Sequence, residues 1–95
     1  MEDFILLMHT GANSDPAAWE PYLKMLRESG RFQGGSAIGD GACVSKSGAP
    51  PGITRHLSGY LKVKANSLND AKTLLAGNPV YEAGGVVELR HLPTS

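Results

Sequence analysis

Ninety-five residues are enough for one domain, and a chain this short buries a smaller share of its surface than a longer one. Nine Lys and Arg balance nine Asp and Glu with no basic run of five, which excludes the electrostatic footprint of a nucleic-acid binder and argues against a charged membrane surface. The apolar fraction of 41% lies well above the disordered range; no apolar stretch approaches the ~20 residues that cross a bilayer; and the acidic start Met1-Glu2-Asp3 is unlike a secretory signal, so the cytoplasm is the expected setting.

Phe4 to Thr10 is an apolar run closed by Gly11, and it predicts a central strand buried on both faces. Ser14-Asp15-Pro16 carries the cap and first-turn residues of a helix start. Trp19, Tyr22, Leu23 and Leu26 then repeat as one apolar stripe that Gly30 ends. Pro21 conflicts with a helix interior, so either regular helix begins near Glu20 or Pro16–Trp19 is a separate turn. Arg31 to Val44 is rich in glycine and predicts a broken, bulged strand. The glycines lack the lysine of a phosphate-binding loop. Ser45 to Ile53, with two prolines, reads as a loop. Cys43 cannot form an internal disulfide and reads as a small apolar side chain on a strand.

His56 to Lys64 alternates with the period of a half-buried strand. Ser67-Leu68-Asn69-Asp70 opens a second helix as a capping-box variant, with Leu68, Ala71 and Leu75 as its buried stripe. That helix should run about three turns, until Gly77 caps it and Pro79 stops it. Val86 to Leu92 is the last strand.

The order β-α-β-β-α-β predicts an α+β, ferredoxin-like sandwich: a four-stranded antiparallel sheet with both helices on one face. Leu57, Leu61, Val63, Val87 and Leu89 would meet the helices, and His56, Ser58, Tyr60, Lys62, Glu88 and Arg90 the other side. A bare face on so small a domain calls for a cover. A second copy is the simplest one and would give a homodimer with a polar cavity between two sheets.

Four segments carry a family resemblance across nearly the whole chain. They are M-E-D-F-I-L-L-M-H, Y-L-K-M-L-R-E-S-G-R-F-Q-G-G, L-S-G-Y-L-K-V-K-A-N-S-L-N-D-A and N-P-V-Y-E-A-G-G-V-V-E-L-R-H-L. Together they resemble the YCII-related, DGPF-like proteins. That resemblance implies one such domain over 1–95, a dimeric α+β barrel with a pocket in each subunit. Some members of the family use a His on the first helix and an Asp before the last strand. The matching positions here are Trp19 and Asn78, and the D-G-P-F string is replaced by P-P-G-I-T-R-H.

The expected function is therefore binding of a small anionic or aromatic molecule on the sheet face, with proton transfer as the chemistry if the protein is an enzyme. His56 is the candidate base, because histidine is the side chain suited to proton transfer near neutral pH. Tyr60 and Arg90 would orient the ligand, Trp19 would wall it, and His9 and Asn78 would line the pocket. Three scattered histidines and no C-x-x-C give no metal site, and no cofactor is expected. The alternative is a non-catalytic dimeric interaction domain whose polar face is the seam, as replacement of the His–Asp pair suggests.

Overall fold

A computed structural model describes residues 1–94. Strand β1 (Glu2–His9) is followed by a 3-10 turn (Pro16–Ala18), helix α1 (Trp19–Glu28), strands β2 (Phe32–Ala37) and β3 (Leu57–Ala65), short helices α2 (Leu68–Thr73) and α3 (Pro79–Glu82), and strand β4 (Val87–Leu92). The four strands form one antiparallel sheet in the order β2-β3-β1-β4, as expected for a ferredoxin-like unit.

Alternation in β1 sends Phe4, Leu6 and Met8 into the core, where Leu61, Val63 and Ala65 of β3 join them. Tyr22 and Leu26 of α1, Ala71, Leu74 and Leu75 in and after α2, and Val80 of α3 close over that face. The opposite face carries Ile5, Leu7 and His9, which are only half-buried. The strand is thus central in the sheet, but within one chain it is covered on one side, not on the two expected from its apolar run.

Around Pro21 the chain divides its work between two helical pieces. Asp15 accepts from the Ala17 amide at 3.0 Å and starts the 3-10 turn, and the α-helix then begins at Trp19. Pro21 therefore falls in the first turn, where its missing N–H would have had no intrahelical partner. Helix α2 stops after Thr73, shorter than its three predicted turns, and Leu68 stays exposed. Pro79 starts a new helix instead of merely ending one, with Asn78 as its N-cap. The Gly-rich strand ends at Ala37, well before Val44, and its register shifts between Phe32 and Gly34. Residues 38–56 contain no helix or strand, and Cys43 lies among them rather than on a strand.

Candidate functional site

A cavity of about 410 Å³ lies between α1 and the β2–β3 side of the sheet. Trp19 and Leu23 reach it from α1, Met8 and Leu61 from the central strands, and Val80 from α3. No lining residue is Asp, Glu, Lys, Arg or His. The polar side chains that can face inward are few: the Ser14 hydroxyl and the indole N–H of Trp19. Ser36, Ser58 and Tyr60 also border the cavity, but strand alternation turns the Ser36 and Tyr60 side chains to the opposite face, and the Ser58 hydroxyl donates to the Met8 carbonyl at 3.2 Å.

Small residues make the room. Gly35, Ala37 and Gly59 form the β2–β3 wall. A Cβ on Gly59 would stand 3.2 Å from the Ser36 carbonyl oxygen and 3.5 Å from the Met8 methyl, so glycine sets how closely the two strands approach. Trp19, the first residue of α1, meets Tyr22 edge-on with ring centroids 6.1 Å apart. Tyr22 donates to the Leu74 carbonyl at 2.7 Å inside the core. Burial pushes its phenol above the usual tyrosine range, against an opposing pull from the Asn78 side chain beside it.

Asn78 is fully buried, and its Oδ1 accepts from the Val80 and Tyr81 amides at 3.0 and 3.1 Å. Its Nδ2 makes no well-formed hydrogen bond, although it lies near the Tyr22 hydroxyl. Tyr22 stands between Trp19 and Asn78, with Trp19 in the cavity wall and Asn78 capping α3 behind it.

A second group of side chains gathers on the bare face of the sheet. His9 Nε2 lies 3.1 Å from Glu88 Oε1, and Arg90 donates to Glu88 Oε2 at 3.3 Å. These two partners, His9 first, hold the Glu88 carboxyl below its ordinary range. The Thr10 amide donates to the His56 carbonyl at 2.8 Å, and the His56 ring meets the His9 ring edge-on at 5.0 Å.

The pocket expected on the bare face is therefore not where this chain forms its cavity. A single sheet face without a second layer encloses nothing, whereas α1 standing off the glycines of β2 does. Of the predicted residues, Trp19 and the main chain of Tyr60 border the cavity. His9, His56 and Arg90 lie together on the other side, and Asn78 is buried as the N-cap of α3. Reading the sequence missed Ser14, Ala37 and Val80; the clustered glycines before Ala37 were the available signal. Among the described residues no group of His, Cys, Asp and Glu is arranged to hold a metal ion, and no helix is long and apolar enough to cross a membrane.

No protein-family model and no curated protein matches the chain. Among solved structures it is similar to the 5-chloro-2-hydroxyhydroquinone dehydrochlorinase of Burkholderia phenoliruptrix AC1100, in its complex with 2,5-dihydroxybenzoquinone. The two superpose with a TM-score of 0.58 at 17% identity, over 98% of this chain and 95% of the other. A likeness at that identity establishes a shared α+β fold.

Proposed function

We propose that this protein, as a YCII-related type of domain, binds a small, uncharged, planar ring compound in the cavity under Trp19. The observation that carries this reading is the lining, which is mostly apolar and without formal charge, walled by an indole and floored by glycine and alanine. Its volume of about 410 Å³ suits one ring compound and lies in the usual range for small-molecule sites. The structural neighbour was solved with a dihydroxybenzoquinone, a small planar ring compound, which supports the ring shape of the expected ligand and does not decide its charge. With no titratable side chain aimed into the cavity, binding is favoured there over proton transfer.

Trp19 is the one tryptophan, so its fluorescence reports the cavity directly. Titration with neutral phenols and quinones should quench it saturably. Ala37→Phe, which fills the cavity, should weaken binding at least tenfold, about 1.4 kcal/mol. Quenching that ignores Ala37→Phe would sink the assignment.

A second reading rests on the 3.1 Å contact between His9 and Glu88. A carboxylate that fixes one imidazole nitrogen leaves the other free to move a proton, so His9, with His56 beside it, is the candidate acid–base residue of the bare face. Arg90 would hold an anionic ligand there. If only carboxylates bind, and Arg90→Ala or His9→Ala abolishes their binding while Ala37→Phe does not, this reading replaces the first.

The bare face also supports pairing with a second copy. Ile5, Leu7 and Tyr60 form half-buried apolar surface between charges of both signs.

A further inference from the structure

We infer that residues 38–56 are an arm that clasps a second copy of this chain. A structureless connection longer than ~12–15 residues is uncommon in a compact domain and is usually either functional or a linker, and this one is longer. It is a hairpin-like extension tied to the body only at its root. There the Ile38 amide donates to the Ser58 carbonyl at 3.0 Å and Thr10 donates to the His56 carbonyl. Farther out the arm bonds only to itself. Cys43 Sγ meets the Gly52 carbonyl at 3.6 Å, and Ser45 Oγ donates to the Gly48 carbonyl at 2.9 Å. Its outermost apolar side chain has nothing to pack on, Val44 being 90% exposed, while Cys43 and Ile53 are only partly covered.

Two whole-molecule quantities say what the arm lacks. The radius of gyration is 14.7 Å, where a compact domain of this length has about 12 Å. The accessible surface is 6174 Å², where a compact monomer of 10.0 kDa exposes about 5200 Å². The excess, about 970 Å², is of the same order as the ~800 Å² that each partner buries in a stable protein–protein interface. Pro50-Pro51 stiffens the returning limb and removes two backbone donors, which lowers the ordering cost of docking. A second copy is the fitting occupant, because the same chain offers the bare apolar strip of Ile5, Leu7 and Tyr60 for the arm's body to close upon. The arm's root, Ala37 and Ser58, also borders the cavity, so clasping would fix the cavity rim.

The inference rests on pairing of two copies and not on the ligand reading. Sedimentation of the full chain, beside a variant whose residues 40–54 are replaced by an Asn-Gly turn, tests it together with hydrogen exchange of the 38–56 amides at low and high protein concentration. The expected result is a dimer whose arm amides become protected as it forms, and at least tenfold weaker association in the shortened chain. A dimer with unprotected arm amides, or one equally tight without the arm, overturns the clasp and leaves pairing in place. A monomer at all concentrations overturns both.

Discussion

Gly85 stands where the Ala12 methyl, the Val80 side chain and the Val80 carbonyl converge; a Cβ there would lie 2.6 to 2.9 Å from all three. One of those atoms belongs to the loop after β1 and two to α3, so Gly85→Ala must push the last connection off the core. The expected cost is about 1–3 kcal/mol, measured as a lower thermal midpoint. Tyr22 is the second residue on which much depends. Tyr22→Phe leaves the buried Leu74 carbonyl without its donor and should cost about 1–3 kcal/mol. The same variant tests a pH effect. The Tyr22 phenol titrates above its ordinary 10.0 in the folded protein, so the unfolded chain ionises first. Stability is then full below about pH 10 and falls as pH rises through and beyond that value. In urea titrations at pH 9 to 11, Tyr22→Phe should remove much of that alkaline loss.

Among the elements, α2 depends most on side-chain bonds. It is only six residues long, too short to hold by propensity, and Leu68 adds little burial. Ser67 accepts from the Asp70 amide at 3.1 Å, and Asp70 reaches back to the Asn66 amide at 2.8 Å and takes the Arg31 guanidinium at 2.7 Å. The Asn66 amide first, then Arg31, holds the Asp70 carboxyl below its ordinary 3.8. Asp3 is lowered likewise by Lys64, and Glu88 by His9. The sign follows from the lowered folded values: these contributions are complete above the unfolded carboxylate range and are lost as pH falls through the folded ones. Urea midpoints should therefore drop between pH 5 and 2, on the order of the carboxylate range. In Asp70→Asn the drop should be shallower and the neutral-pH midpoint already lower.

For the whole molecule, one sheet face and the 38–56 arm are uncovered in a single chain. If a second copy supplies the cover, folding and association are linked, and the thermal midpoint must rise with protein concentration. Scans over a hundredfold range of concentration should show a shift of several degrees, and the arm-shortened chain a smaller one. A concentration-independent midpoint would mean that the single chain is the stable unit.

The alternation of β3 and β4, the stripe on α1, the Ser67–Asp70 cap and Gly30 are local patterns, so the sequence alone determined the order of the four strands, the places of α1 and α2 and the ferredoxin-like sheet, but not the separate helix α3. It also determined which residues of the last two strands share a face, because side-chain direction follows from a period of two. It could not determine which face would hold a cavity. That depends on how α1 sits over the sheet, and only the closed fold brings Trp19 and Leu23 opposite Gly35, Ala37 and Gly59. Nor could it bring His9 to Glu88, at opposite ends of the chain and joined by the pairing of β1 with β4. Asn78 shows the same division. Its place before a proline was legible as a helix boundary, but its burial against Tyr22 exists only once the core has closed.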